Sequence, residues 1–92
     1  MNQFIIIFEL KEEKSNKRVE VRDRIRELKK FAFLTKYSCL VWTDKSPSEV
    51  RDFIKQNLNS GDIIFVSKVS SPAAWLNSVG QDVTDYIQKN LK

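Results

Sequence analysis

The sequence has no histidine, one cysteine and only two glycines among its 92 residues. Without histidine, the chain lacks the commonest general base and the commonest metal ligand of proteins. The two glycines, Gly61 and Gly80, are too few and too far apart for a glycine-rich phosphate-binding loop. The lone Cys39 lies in an apolar stretch with no base beside it in the sequence, so we interpret it as a buried packing residue. Catalysis by histidine, by an activated cysteine or at a phosphate loop is therefore not expected.

Long apolar runs are also missing. The longest, Phe4 to Phe8, is far shorter than the roughly 20 residues that a bilayer-spanning helix needs. No basic stretch precedes this run and no small-residue cleavage site follows it. We therefore expect no membrane span and no signal peptide. Together with a single cysteine, this predicts a cytoplasmic location.

The composition is that of an ordinary globular protein, with 41% hydrophobic and 30% charged residues. A chain of this length has material for one hydrophobic core, so we predict a single domain over residues 1–92. Phe4 to Leu10 is apolar on both alternating faces and predicts a central strand. Four apolar residues then recur at helical spacing and predict a first helix with its charges facing solvent: Val21, Ile25, Leu28 and Ala32.

The second half of the chain continues the alternation of strands and helices. Phe33 to Thr43, with a polar break at Lys36, predicts a hairpin. Ser46-Pro47-Ser48-Glu49 combines an N-cap serine, a proline at the first helical position and a reciprocal glutamate, which predicts a second helix ending at Asn59-Ser60-Gly61. A strand over Asp62 to Val69 follows. A last amphipathic helix is predicted from Val83, Ile87 and Leu91.

The predicted order is β-α-β-β-α-β followed by a C-terminal helix. Right-handed crossovers then place strands one and three centrally and both helices on one face, as in a ferredoxin-like α/β (α+β) sandwich. Because the first strand is apolar on both faces, the second face of the sheet needs a cover, either the C-terminal helix or a second subunit. We predict a homodimer built through that face or its edge.

Positive charge is concentrated in one segment. The chain carries a net charge of +4, whereas residues 14–36 alone carry +6. A one-sided basic surface attracts polyanions, nucleic acid first among them, although an ordinary solvated helix face gives the same pattern. The predicted contacts to RNA or DNA phosphates are Arg18, Arg22, Arg26, Lys29 and Lys30. Four aromatic residues could stack bases beside a basic helix: Tyr37, Trp42, Trp75 and Tyr86. Of these, Trp42 ends an apolar strand and Trp75 follows two alanines, so both are interpreted mainly as core or interface residues.

Carboxylates are the remaining candidates for catalysis. Glu9 ends the apolar first strand, and Glu12 and Glu13 follow it in the loop. Such hard oxygen ligands suit Mg²⁺ or Mn²⁺, so Glu9 is the candidate metal ligand and catalytic residue. The alternative is a solvent-facing charge at a strand end with no resident cofactor, and we favour that alternative.

Two stretches resemble a known family: Thr43 to Ile54, then Asp62 to Val66 followed by Ala73-Ala74-Trp75. They are similar to the small bacterial and phage proteins of the SinR family, within the Cas-two-like superfamily. The resemblance implies a ferredoxin-like fold and a symmetric dimer. Relatives include the small CRISPR adaptation subunit, which bridges integrase dimers and binds DNA, and VapD-type toxins that cleave RNA. In the nuclease members an aspartate ends the first strand and faces its twin across the dimer; Phe8-Glu9 occupies that place here.

Three functions follow as hypotheses. The first is a dimeric nucleic-acid-binding or adaptor module, which the basic segment supports. The second is a metal-dependent endoribonuclease using paired Glu9 carboxylates. The third is a protein-interaction module of phage or mobile-element origin that uses the sheet edge or the helical tail.

Overall fold

A computed structural model describes residues 1–76 and 80–92. These residues form an α+β protein whose elements are, in chain order, β1 (Asn2–Glu9), α1 (Ser15–Arg26), β2 (Phe31–Thr35), β3 (Ser38–Thr43), α2 (Pro47–Lys55), β4 (Ile63–Lys68) and α3 (Gln81–Asn90). The strands form one antiparallel sheet in the order β2-β3-β1-β4. The sheet interior is therefore occupied by β1 and β3, as the sequence predicted.

The main core lies between one face of the sheet and the helices α1 and α2. Alternate residues of β1 point to this face, among them Phe4, Ile6 and Phe8, all at most 2% exposed. They meet fully buried residues of α1 and α2, of which Ile25 and Ile54 are the largest. Complete burial of one such side chain stabilises the fold by about 1.5–3 kcal/mol. In this layer, the apolar residues that alternate along the strands pack against the apolar residues that recur at helical spacing in α1 and α2.

The opposite face of the sheet is covered in part by α3. Ile87 of α3 is buried against Leu40 and Trp42 of β3. The indole nitrogen of Trp42 donates to Oε1 of Gln3 and to the carbonyl of Asn90, both at 3.1 Å, which ties α3 to the sheet. The C-terminal helix is thus a cover for the β2–β3 side, whereas the β1–β4 side keeps exposed apolar residues.

The predicted start of α2 is confirmed in detail. The hydroxyl of Ser46 accepts from the amide of Glu49 at 3.2 Å, and the amide of Ser46 donates to the Glu49 carboxylate at 2.9 Å. This reciprocal capping box satisfies amides that the first helical turn leaves without partners. Proline occupies the first helical position, where its missing N–H costs nothing.

The predicted C-terminal ends of α1 and α2 are wrong. Helix α1 ends at Arg26 because Lys29 adopts the left-handed conformation (φ 76°) and turns the chain, so Ala32 lies in β2. Helix α2 ends at Lys55, and Leu58 reaches the core from the turn that follows. Gly61, with φ 92°, belongs to the turn before β4. Apolar spacing cannot distinguish a last helical turn from a compact turn that buries the same side chain.

Within residues 1–76 and 80–92, none of the helices combines the length and the apolar character needed to cross a bilayer.

Candidate nucleic-acid interface

Arg22 of α1 is engaged within the fold. Its guanidinium donates to the carbonyls of Thr35 and Lys36, at 3.0 and 3.1 Å, and stacks 3.8 Å from the centre of the Phe33 ring. Burial, followed by repulsion from Arg26, lowers the pKa of Arg22 from its ordinary value. Arg22 therefore links α1 to the β2–β3 turn by hydrogen bonds.

The neighbouring arginines also have intramolecular partners. Arg26 forms an ion pair with Asp23 at 2.6 Å. Arg18 pairs with Glu13 at 3.0 Å, and the Tyr37 hydroxyl donates to the same carboxylate. The guanidinium of Arg24 donates to the carbonyl of Phe53 at 2.8 Å and stacks on its ring, which links α1 to α2. Each of the three arginines predicted to contact phosphate, Arg18, Arg22 and Arg26, thus already has a partner within the chain. Contact of these side chains with a phosphate stays a prediction.

Lysines line an open cleft at one end of the sheet, where β1 begins and β3 ends. The cleft consists of two adjoining hollows of about 430 and 330 Å³ that share Met1, Lys30 and Trp42. Lys29 and Lys45 line the first hollow, and Lys92 lines the second. We call this feature the sheet-end cleft. It brings together four ammonium groups from the turn after α1, the loop after β3 and the end of the chain.

The charge of the sheet-end cleft is positive. Four lysines line the whole cleft, and two carboxylates, Asp44 and Glu49, line its first hollow. The backbone amide and the hydroxyl of Ser46 bind the Glu49 carboxylate and hold its pKa below the ordinary value. Among the ion pairs of the described residues, none involves Lys29, Lys30, Lys45 or Lys92. Binding of an external anion therefore breaks no ion pair of the described residues, although the ammonium of Lys45 also lies 5.4 Å from the centre of the Phe53 ring.

Two of the four cleft lysines belong to the basic segment of residues 14–36. Lys29 and Lys30 were predicted from the basic segment, and both line the cleft. Lys45 and Lys92 were missed because they are distant in sequence and neither belongs to a basic run. The sheet order brings Lys45 to the cleft, because the end of β3 lies beside the start of β2. Lys92 reaches the cleft because its carbonyl accepts from the side-chain amide of Gln3 at 2.9 Å.

The candidate metal ligand Glu9 lies exposed at the end of β1. In the register of β1 with β4 it is opposite Ile63, on the sheet face that also carries Ile7 and Phe65. The part of the chain that the structure describes contains no group of three or more Asp, Glu or Cys side chains that could hold a metal ion. Mg²⁺ and Mn²⁺ need several oxygen ligands, of which Glu9 supplies one carboxylate per chain. A metal at Glu9 remains a prediction that requires a second contributor.

Cys39 and the aromatic residues have packing roles. Cys39 is fully buried, and burial raises the pKa of its thiol to about 12, so it is not a nucleophile at neutral pH. Trp42 is 6% exposed and packs edge-on against Tyr86, with ring centres 5.5 Å apart. Its indole face is therefore not free to stack on a base, as the sequence interpretation expected.

Comparisons of the chain with protein-family models, with curated proteins and with solved structures found no match. The function is therefore inferred from the chemistry of the chain's own residues.

Proposed function

We propose that this protein is a small homodimeric nucleic-acid-binding or adaptor module of the Cas-two-like, SinR type. The observation that carries the nucleic-acid-binding part of this proposal is the sheet-end cleft, with its four lysines outside the ion pairs described. The Cas-two-like, SinR type is proposed from the resemblance of Thr43 to Ile54 and Asp62 to Val66. The cleft is open to solvent rather than enclosed, which suits an extended phosphodiester backbone better than a small anion that must be enclosed. Nucleic acid is the abundant polyanion with this shape.

The proposed fold is the ferredoxin-like βαββαβ sandwich with an added C-terminal helix. The strand order β2-β3-β1-β4 supports it, because β1 and β3 are central and every neighbouring pair is antiparallel. The packing of α1 and α2 against the same face supports it as well. Two interleaved βαβ units with right-handed crossovers produce this arrangement.

Recognition in the proposed mode is independent of base sequence. Lysine ammonium groups contact phosphate oxygens as point charges and carry no information about the bases. Trp42, the aromatic residue that lines both hollows, uses its only donor on Gln3 and Asn90. Binding should therefore depend on salt rather than on sequence.

Fluorescence anisotropy with labelled single-stranded RNA and DNA tests the proposal. If all four lysines contact phosphates, affinity should fall about 50-fold between about 50 and about 200 mM salt, from a slope of about 0.7 per contact. Oligonucleotides of unrelated sequence should give similar affinities. Binding that does not change with salt would contradict the proposal.

Matched variants test the location. Lys30→Gln with Lys45→Gln removes two cleft charges, whereas Lys14→Gln with Lys36→Gln removes two charges beyond the other ends of α1 and β2. The cleft variant should lower the salt slope by about 1.4, because two phosphate contacts are lost. The control should leave the slope unchanged. Equal losses in both variants would show that overall charge, not the cleft, attracts the nucleic acid.

The proposed homodimer is supported by apolar side chains that α3 leaves uncovered. Ile7, Ile63 and Phe65 are 44%, 56% and 57% exposed on one face of the sheet. A contiguous exposed apolar surface is typical of an interaction site. Light scattering should give twice the 10.8 kDa chain mass, and a monomer at micromolar concentration would contradict the dimer.

A further inference from the structure

Among residues 1–76 and 80–92, no strand pairs with the outer edge of β4. Strand β4 pairs with β1 only, in an unbroken register, and its first four residues are Ile63-Ile64-Phe65-Val66. The other edge strand, β2, has an irregular register at Phe33–Thr35, and α3 packs against it. Bulges and covering elements are the usual means of preventing an edge strand from pairing with another chain. In the part of the chain that the structure describes, the outer edge of β4 has neither.

The register identifies which backbone groups are free. The amide of Val69 donates to the carbonyl of Gln3 at 3.0 Å, which makes these two residues a hydrogen-bonded pair of the β1–β4 ladder. Because such pairs alternate, Ile63, Phe65 and Ser67 direct their backbone groups towards β1. The amides and carbonyls of Ile64, Val66 and Lys68 therefore point away from the sheet, in line for another strand.

Exposed apolar side chains adjoin the same edge. Ile63 and Phe65 of β4 and Ile7 of β1 lie on the sheet face opposite α1 and α2, and we call them the β4 patch. The half-buried Ile64 and Val66 point to the other face, towards α2. A strand added at this edge gains backbone hydrogen bonds and apolar contacts on both faces.

We propose that the partner is a second copy of this chain, with the two β4 strands paired antiparallel and Phe65 facing its twin at the twofold axis. The inference rests on the homodimer of the proposed function and specifies its seam. The strand is self-complementary in this register. Ile64 lies opposite the partner's Val66. Asp62, whose carboxylate also accepts from the backbone amides of Lys11 and Asn59 at 2.9 and 2.7 Å, lies opposite the partner's Lys68. An apolar pair on each side of the axis and an opposite-charge pair at each end favour this alignment.

The same symmetry joins the apolar surfaces. A twofold axis perpendicular to the sheet keeps both β4 patches on one face, so six exposed apolar side chains become neighbours in a continuous eight-stranded sheet. An unrelated peptide would supply the backbone hydrogen bonds but not the matching patch. This is why a second copy fits the edge better than an arbitrary extended segment.

Space beside β4 is available for the added strand. An open groove of about 270 Å³ lies between β4 and α2, lined by Pro47, Ser48 and Arg51. The guanidinium of Arg51 is held by the adjacent Asp52 at 2.9 Å on α2. No helix or loop among the described residues pairs with this edge.

The seam has a geometric consequence for Glu9. In the paired sheet, Glu9 and its twin lie three strand spacings apart and at opposite ends of β4, a separation of roughly 20 Å. The two carboxylates would then not share one metal ion. Each sheet-end cleft lies where β1 begins, which is the end of the sheet that carries Lys68 of β4. The two Lys68 residues lie at opposite ends of the paired β4 strands, so the two clefts lie at opposite ends of the dimer. Each cleft would bind a separate segment of nucleic acid.

The first experiment measures mass by light scattering for the wild type and two matched variants. Phe65→Lys places like charges at the twofold axis, whereas Val19→Lys introduces a lysine at an apolar residue of α1 that is 51% exposed. Wild type and Val19→Lys should be dimers, and Phe65→Lys should be a monomer with an unchanged circular dichroism spectrum. A Phe65→Lys variant that remains a dimer would overturn the seam.

Hydrogen exchange followed by NMR tests the backbone pairing directly. The amides of Ile64 and Val66 should be protected in the wild type and lose at least about tenfold of that protection in Phe65→Lys, because each would donate across the seam. The amides of Ile63 and Ser67, which donate to β1, should stay protected in both proteins. A dimer whose Ile64 and Val66 amides exchange rapidly would overturn the proposal. A monomeric wild type that still binds nucleic acid through its lysines would overturn the seam and leave the cleft standing.

Discussion

Replacing Arg22 distinguishes a structural arginine from a phosphate contact. Arg22→Gln removes a guanidinium that donates to the carbonyls of Thr35 and Lys36 and stacks on Phe33. A hydrogen bond from a charged donor contributes about 1.5–3 kcal/mol when buried, and less at this partly exposed site. The cation–π contact adds about 0.5–1 kcal/mol. We therefore expect Arg22→Gln to lower the free energy of unfolding by about 2 kcal/mol.

Urea unfolding followed by tryptophan fluorescence measures this loss. For a domain of this size, a slope of about 1.5 kcal/mol per molar urea converts the loss into a midpoint shift of about 1.3 M. Arg22→Lys keeps the charge but loses the planar fork that reaches two carbonyls and lies flat on the ring, so it should recover only part of the shift. Lys30→Gln, in the sheet-end cleft, should leave the midpoint within about 0.3 M of the wild type, as expected for a surface substitution.

The opposite result would refute this reasoning. If Arg22→Gln unfolds at the wild-type midpoint but loses nucleic-acid affinity, and Arg22→Lys restores that affinity, Arg22 is a phosphate contact. The predicted basic face of α1 would then replace the sheet-end cleft as the binding surface.

Three further outcomes are expected. Ser46→Ala should lower the free energy of unfolding by about 1 kcal/mol, because it removes the serine arm of the capping box; an unchanged urea midpoint would contradict this. In the native protein at pH 8, Cys39 should react with iodoacetamide at least about 100-fold more slowly than in urea, because the thiol is buried and its pKa is raised to about 12; equal rates would show an accessible thiol. Any RNA cleavage stimulated by Mg²⁺ or Mn²⁺ should persist in Glu9→Gln, because the proposed seam keeps the two carboxylates apart; loss of cleavage with an intact dimer would favour the ribonuclease hypothesis and a different interface.

Sequence alone determined the features that depend on local chemistry and periodicity. The start of α2 follows from Ser46 and Glu49, whose mutual hydrogen bonds need only four consecutive residues. The strand β1 follows from its alternating apolar faces, and the burial of Cys39 follows from its apolar neighbours. The predicted α+β class also holds, because each segment's preference agrees with its place in the sheet or the helical layer.

Only the tertiary structure decided which charges remain available. Arg22 and Lys30 belong to the same basic segment, yet the fold turns Arg22 onto Phe33 and leaves Lys30 at the cleft. Lys45 and Lys92 join that cleft through the sheet order and the anchoring of the chain end, which no local pattern encodes. The free edge of β4 is likewise a property of strand order. Local preferences act between residues a few positions apart, whereas availability for binding depends on what packs nearby, and that is fixed by contacts between distant segments.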